Sequence, residues 1–362
     1  MPRVGIIGAG QLGLMLGEAG RDLGIECRFL DPSPAPPAAS VGDVLDYAFD
    51  DREGLDRLAG SADVITYEFE NVPVHAVERL ATTIRVAPPP QALRAAQDRL
   101  AEKKLFESLH ISLPAYRRID SVADLHQAAA SIGLPLVLKT RRLGYDGKGQ
   151  QLVRVDADIA GAFEALGGRD LIAEQWVDFD FEVSIIGARS VSGEIVIYPL
   201  TRNEHASGIL VSSRAPHVAP ALCDAASEYL ERMLEHLDYV GVLALELFVA
   251  GDALLANEFA PRVHNSGHWT IEGALTSQFE NHLRAILNMP LGDTAVRGHA
   301  GMVNVIGRMP ARSSAVCEAP WHLHDYGKSA RPGRKLGHAT LVCDDPAERD
   351  RALAAAVASL VG

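Results

Sequence analysis

The sequence predicts an α/β fold in several units, opening on a Rossmann-like domain with a parallel sheet and closing on a small β-rich piece. Three observations predict it. From residue 3 to residue 67, apolar segments alternate strand, helix and strand, the pattern of a parallel sheet with helices on its faces. Between the first strand and first helix lies Gly8-Ala9-Gly10-Gln11-Leu12-Gly13, a glycine-rich turn. Much later, Ala244-Leu245-Glu246-Leu247-Phe248 and Leu254-Leu255-Ala256-Asn257-Glu258-Phe259-Ala260-Pro261-Arg262 form two apolar strands joined at Gly251-Asp252, each with a carboxylate set among apolar residues. At 362 residues the chain exceeds one ordinary core, so two or three domains are expected.

Taken in order, residues 3–7 form the first strand and residues 11–23 a helix with Leu12, Met15, Leu16 and Ala19 on one face. Strands follow at 26–30 and 62–67. Pro88-Pro89-Pro90 breaks the alternation and marks a boundary near residue 95, after which one long amphipathic helix is expected over 91–109. Residues 112–182 have short strands around one helix at 121–132 and suggest a small α/β lid. Helices are expected at 222–237 and 271–287. After Pro290 the chain becomes β-rich, with a short helix near 347–360. The expected division is therefore 1–95, 96–290 (including the lid) and 291–362.

Composition narrows the function. A net charge of −13 argues against a nucleic-acid surface, which usually carries a basic stripe. No apolar run reaches the ~18 residues of a membrane span, and no cationic and apolar leader opens the chain, so a cytoplasmic location is expected. The four cysteines are scattered and suggest neither zinc nor a disulfide framework. Four of the six lysines fall in candidate site segments, which is informative in so acidic a chain.

The motifs admit more than one reading. Gly8 to Gly13, with Asp31 near the end of the second strand, matches the dinucleotide fingerprint and points to NAD. It equally describes a helix N-terminus free to hold another anion. Tyr67-Glu68-Phe69-Glu70 lies at a strand's carboxyl end, where ligands of open α/β sheets bind; Glu68 and Glu70 point the same way if the strand continues. Lys139 ends an apolar strand, and the loop Gly144-Tyr145-Asp146-Gly147-Lys148-Gly149-Gln150 can close backbone amides over phosphates, or form an ordinary hairpin turn. Glu174-Gln175-Trp176-Val177 and Glu182 offer contacts to an adenine edge and a ribose, against the alternative of solvated strand ends. Glu246 and Glu258 on neighbouring strands suit a hard cation such as Mg²⁺, because buried carboxylates need a counter-charge. Arg262, His264 and Asn265 follow directly and supply donors for a small oxyanion, although His264 and His268 also fit a helix cap or a metal site. Lys328, Arg331, Arg334 and Lys335 place four cations in eight residues, either a solvated turn or a phosphate clamp.

In that order GAGQLG, YEFENVP, QDRL, GYDGKGQ, EQWV, PLTRNEH, NEFAPRVHNSGHWT and RPGRKLGH resemble the ATP-grasp superfamily, and within it the 5-(carboxyamino)imidazole ribonucleotide synthases of purine biosynthesis. The resemblance spans nearly the whole chain; Leu14 departs from it, where many relatives are expected to carry Arg. It implies an ATP-grasp fold with an N-terminal α/β domain, a lid and a C-terminal portion, a homodimer, and ATP-dependent carboxylation of an aminoimidazole ribonucleotide through carboxyphosphate. It places ATP on Arg99, Lys139, the loop of residues 144–150, Glu174 to Val177, Glu182, His205, Asn257 and Glu258. Mg²⁺ falls to Glu246 and Glu258. The ribonucleotide falls to Gln11, Leu12, Glu70, Tyr145, Asp146, Asn265, Lys328, Arg331, Arg334 and Lys335. Bicarbonate falls to Arg262, His264 and Asn265, with Asp146 orienting or deprotonating the amine. A mutase is a possible recipient of the product. The rivals are a formate-dependent glycinamide ribonucleotide transformylase, an NAD-dependent dehydrogenase and a non-catalytic ATP-binding regulator.

Overall fold

A computed structural model describes residues 1–144 and 147–361. The opening sheet is built from β1 (Arg3–Ile7), β2 (Glu26–Leu30), β3 (Asp43–Leu45) and β4 (Val64–Tyr67), in the order β3-β2-β1-β4 with every pair parallel. Its helices are α1 (Gln11–Asp22), α2 (Arg52–Gly60) and α3 (Val74–Ala81). Parallel neighbours require crossovers: α1 joins β1 to β2, a 3-10 turn at Pro37–Ser40 lies between β2 and β3, and α2 joins β3 to β4. Sequence reading missed β3, α2 and α3: β3 is only three residues long, and the two helices are short.

The helix expected over 91–109 is instead two, α4 (Pro90–Ala96) and α5 (Arg99–Ser108). Asp98 ends the run by adopting extended backbone and accepting from the amides of Leu100 and Ala101, so it caps α5. The lid contains β5 (Tyr116–Ile119), α6 (Val122–Ile132), β6 (Leu136–Thr140), β7 (Gln150–Val153), a second helix α7 (Ile159–Ala165) not expected from sequence, and β8 (Leu171–Gln175). Its sheet runs β5-β8-β6-β7, all antiparallel, around its own apolar core.

A nine-stranded antiparallel sheet forms the floor. It contains β9 (Phe181–Arg189), β10 (Ile195–Ile197), β11 (Thr201–Ala206) and β12 (Ile209–Ala215). After α8 (Pro220–His236) come β13 (Gly241–Ala250) and β14 (Ala253–Ala260). The helix expected over 271–287 is split into α9 (Thr270–Gly273) and α10 (Gln278–Ile286), because Ser277 caps a new start through the amide of Glu280. The sheet then continues through β15 (His299–Ile306), β16 (His322–Asp325) and β17 (Lys335–Cys343), backed by α11 (Pro346–Val361). Strand β15 pairs with β12, so the C-terminal strands extend the central sheet. One apolar core joins both sheets: Leu12, Met15 and Leu16 of α1 share it with Phe279 and Leu283 of α10 and with Ile186 and Val242 of the floor. Leu14 packs against this core, giving it an apolar structural role. No helix among the described residues is long and apolar enough to cross a membrane.

Candidate active site

Lid, floor and opening sheet face a single cavity of about 1350 Å³. That exceeds the ~300–1,000 Å³ of an ordinary ligand pocket and is enough for two ligands side by side. Every residue to which the family resemblance assigns a ligand lines it, except Gly149, which does not reach the cavity, and Tyr145 and Asp146, which lie outside the described residues. Gly149 has a turn role instead: φ is +70°, and a Cβ there would lie 2.6 Å from the Thr140 hydroxyl.

The carboxylate pair is where the hairpin puts it. Glu246 of β13 and Glu258 of β14 are direct cross-strand partners, so their side chains share one face. Immediately beyond, Leu247 pairs with Ala256, leaving Asn257 as the extra residue of a bulge. The Asn257 carbonyl thereby turns to the buried ammonium of Lys103, while the residue lines the cavity. Burial, then the charge of Glu258 beside it, pushes the Glu246 carboxyl up to about 7. Burial opposes ionisation of Glu258 as well, but Arg99 and Lys139 outweigh it and hold that carboxyl below its usual range. Arg99 Nη1 meets Glu258 Oε2 at 3.1 Å, and His264 Nε2 lies 3.2 Å from Glu246 Oε1. Two carboxylates facing each other across the strands and opening on the cavity, one pushed toward protonation, form a donor set that fits a divalent oxygen-liking cation.

His264 also caps a short 3-10 turn, as one reading of the sequence allowed. Its Nδ1 accepts from the Ser266 amide at 3.3 Å, and burial holds the ring neutral. The proton therefore sits on Nε2, on the side of the ring that faces Glu246. Arg262 donates from Nε to Glu70 Oε2 at 2.5 Å; burial opposes ionisation of Glu70, but Arg262 overrides it and draws the carboxyl down to about 2. Glu70 and Glu68 do not point the same way. The strand ends at Tyr67, and Glu68 turns under the glycine-rich loop to accept from Gly10 N at 2.6 Å and Gly13 N at 2.8 Å. Asp31 accepts from Ala9 N at 2.9 Å and from Ser33 N at 2.8 Å. The amides and the acid that a dinucleotide needs are thus engaged inside the protein, which removes the NAD reading.

At the lid side, Lys139 Nζ donates to Glu174 Oε2 at 2.8 Å, with Lys103 Nζ 3.7 Å from the same oxygen. Glu174 is therefore no solvated strand end. Burial raises its carboxyl, yet Lys103 and Lys139 pull it down to about 2, and its Oε1 has no hydrogen-bond partner among the described residues. His205 Nδ1 pairs with Glu182 Oε2 at 2.5 Å. Trp176 is 45% exposed at the cavity mouth, near Phe179 stacked on Phe248 with ring centres 4.7 Å apart. At the far end, Lys328 donates to Gln11 Oε1, and Arg334 holds its own turn through Ser329. Asn265 and Asn304 exchange amide hydrogen bonds at 3.0 and 2.8 Å.

Sequence reading missed Asp98, Glu102, Lys103, Arg141 and Arg202. Glu102 accepts from Phe259 N at 2.8 Å, and burial lifts it to about 7; Arg202 lies over the Phe181 ring at 4.3 Å. Asp98 alone left a signal: a capping residue directly before Arg99.

Comparison with known proteins accords with this geometry. The ribonucleotide synthetase preATP-grasp domain matches residues 1–97, the ATP-grasp domain residues 104–279, and the phosphoribosylaminoimidazole carboxylase C-terminal domain residues 300–352. An N5-carboxyaminoimidazole ribonucleotide synthase of Pseudomonas aeruginosa is 51% identical over 95% of this chain and 96% of its own. The crystal structure of the Thermus thermophilus synthetase superposes with a TM-score of 0.95 at 49% identity, covering 99% of both chains. The Aspergillus clavatus synthase, in complex with ADP and 5-aminoimidazole ribonucleotide, gives 0.90 at 32% identity over 99% of this chain and 98% of that one. The chain belongs to the N5-carboxyaminoimidazole ribonucleotide synthase family of ATP-grasp proteins.

Proposed function

We propose that the chain carboxylates 5-aminoimidazole ribonucleotide with bicarbonate at the expense of ATP, giving 5-(carboxyamino)imidazole ribonucleotide, ADP and phosphate. The observation that carries this reading is the single cavity, with buried lysines and paired carboxylates at one end and the Lys328 to Lys335 turn at the other. Relatives of the same family have been seen with ATP, with ADP, and with ADP and the ribonucleotide together.

Bicarbonate is a poor electrophile, since its charge is delocalised and its leaving group is hydroxide. One of its oxygens attacks the γ-phosphorus, the bond to ADP breaks, and carboxyphosphate forms. The exocyclic amine then attacks that carbon, or CO₂ released from it, phosphate departs, and the amine loses a proton. Phosphoryl transfer depends on positioning and charge neutralisation. Lys139 and Arg99 supply cations at the nucleotide end, and Arg262, held by Glu70, supplies one beside the carboxylate pair. Glu246 and Glu258 would hold Mg²⁺, whose chemistry when bound is to neutralise phosphate oxygens. Neutral His264 donates from Nε2 and so orients an oxyanion rather than acting as a base there. Closing the lid over the cavity excludes the water that hydrolyses the intermediate. Asp146 stays assigned to the amine on the family resemblance alone.

Homodimerisation, product transfer to a mutase and the division at residues 95 and 290 belong to the same proposal. The decisive assay is phosphate release with ATP, bicarbonate and aminoimidazole ribonucleotide, omitting each in turn. Full release must need all three. Release with formate and glycinamide ribonucleotide in their place would instead establish the transformylase, and ATP binding without any turnover the regulator.

A further inference from the structure

We propose that Asp98 is a positioning residue for the nucleotide half of this reaction, holding the root of the loop that runs from Arg141 to Gly149 against the helix that presents Arg99. The inference rests on the ATP-binding part of the function proposed above.

Asp98 is 4% exposed, and its carboxylate serves two masters. Oδ1 accepts from the Leu100 and Ala101 amides at 3.0 and 3.4 Å, closing the first turn of α5. It also accepts from Arg141 Nε at 3.1 Å, while Oδ2 accepts from Arg141 Nη2 at 2.6 Å and lies 3.3 Å from Arg142 Nε. Arg141 and Arg142 follow β6 directly and open the segment that returns at Gly149, where Thr140 N donates to Gly149 O at 2.8 Å. The backbone is pinned as well: Arg99 N donates to Arg141 O at 2.9 Å, and Arg141 N to Asp170 O at 2.9 Å. Arg99, the next residue after Asp98, sends its guanidinium to Glu258. Its Nη2 also comes within 3.5 Å of where a Cβ on Gly144 would stand. One carboxylate thereby sets the distance between the loop's root and the cation that meets the metal carboxylate.

Helix capping alone does not need this arrangement. Asparagine caps a helix about as well as aspartate. An amide oxygen carries no charge, however, and cannot pair with a forked guanidinium through two oxygens. Asp98→Asn therefore separates the two roles. It keeps the α5 cap and releases Arg141 and Arg142.

The test compares wild type, Asp98→Asn and Asp98→Ala by ADP calorimetry, steady-state kinetics and thermal melting. For Asp98→Asn the expected result is an ADP Kd and ATP KM raised about 10- to 100-fold, the cost of small misplacements in a site. The ribonucleotide KM should stay within about twofold, with a Tm close to wild type. Asp98→Ala should show the same nucleotide defect and a lower Tm. Arg141→Gln, which leaves the cap intact, should reproduce the defect, and adding it to Asp98→Asn should add little, because both remove one interaction. It carries the test alone if Asp98→Asn does not fold. Nucleotide affinity unchanged in Asp98→Asn, or equal losses for both substrates, overturns the proposal. Calorimetry with ADP needs no turnover, so an inactive wild type would count against the carboxylation reading and leave this result standing.

Discussion

Lys328 offers a prediction whose size follows from its surroundings. Burial, and then Arg334, lower its ammonium to about 8; Glu68 pulls the other way, and Lys335 adds a smaller downward push. Its hydrogen-bond partner is the Gln11 carbonyl oxygen, which carries no compensating charge. If this residue clasps the ribonucleotide phosphate, only its protonated form binds the dianion. Affinity is then full below about pH 8 and lost above it. The ribonucleotide KM scales with one plus the ratio of neutral to charged amine, so it rises about tenfold between pH 7 and pH 9. The phosphomonoester is already a dianion across that range, its second pKa being about 6, so the substrate contributes no slope. The assay is phosphate release at saturating ATP and bicarbonate, with ribonucleotide titrated at half-unit steps of pH. At saturating ribonucleotide the rate should lose this dependence, because bound phosphate holds the proton on. Lys328→Met should have a raised KM that no longer climbs above pH 8. A wild-type KM flat from pH 7 to 9, or a slope that persists in Lys328→Met, refutes the clasp.

Glu258→Gln should cut phosphate release at least about 100-fold, as expected when a charge that balances phosphoryl transfer is lost. Its Tm should fall only modestly, because the mutation takes the ion pair from Arg99 while relieving the charge crowding on Glu246; loss of a cooperative melt would point to damaged folding instead. Arg331→Ala, on the exposed turn, should raise the ribonucleotide KM about 10-fold, the worth of one charged hydrogen bond, and leave the ATP KM unchanged; equal changes in both dismiss the clamp. Acid should destabilise the protein through His282, whose Nδ1 accepts from Val242 N at 3.1 Å and whose Nε2 meets the Thr66 hydroxyl at 2.9 Å. Burial lowers this imidazole to about 3, so its contribution is complete above its unfolded value of about 6.5 and is lost by about 1.4 kcal/mol per unit as pH falls from there toward 3. Denaturant melts from pH 7.5 to 5 should show at least that slope, since burial lowers His264, His268 and His338 as well, and His282→Gln should remove about one histidine's share of it.

Local patterns carried much of this site, and long-range pairs did not. The hairpin carrying Glu246 and Glu258 was legible because a short turn at Gly251-Asp252 joins its strands, but that turn's register sets Glu246 against Asn257, and the bulge that brings Glu258 opposite instead leaves no sequence signal. Lys139 was legible because a cation ending an apolar strand needs a partner. That the partner is Glu174 could not be read, since the two are 35 residues apart on strands whose pairing the sequence does not state. Arg262 and Glu70 are separated by 192 positions, and Lys328 and Gln11 by 317. The helix boundaries failed for a different reason. Apolar periodicity continues in phase through Gln97-Asp98 and through Thr276-Ser277, so it hides a break that only the capping side chain reveals. The fingerprint at Gly8 misled because its meaning depends on what faces the loop: here a carboxylate, Glu68, fills the anion seat.

The same pairings explain how a chain of net charge −13 can take anionic substrates. Each cation beside the carboxylate pair and the lid already has a carboxylate: Arg99 has Glu258, Lys139 has Glu174, and Arg262 has Glu70. Without ligands the cavity is close to self-neutral, which limits the cost of burying so many charges. A triphosphate entering such a site cannot simply add its charge. It must draw Lys139 or Arg99 toward itself, and the carboxylate left behind then needs a new counter-charge. At Glu258 a divalent cation held with Glu246 would supply that counter-charge. At Glu174 it is Lys103, which stays buried behind the strand and releases nothing. The second lysine therefore lets Lys139 turn to phosphate without stranding a buried anion, and Lys103→Met should weaken nucleotide binding although its ammonium does not line the cavity. Unaltered ADP affinity in that variant would show that Lys139 keeps Glu174 throughout the cycle.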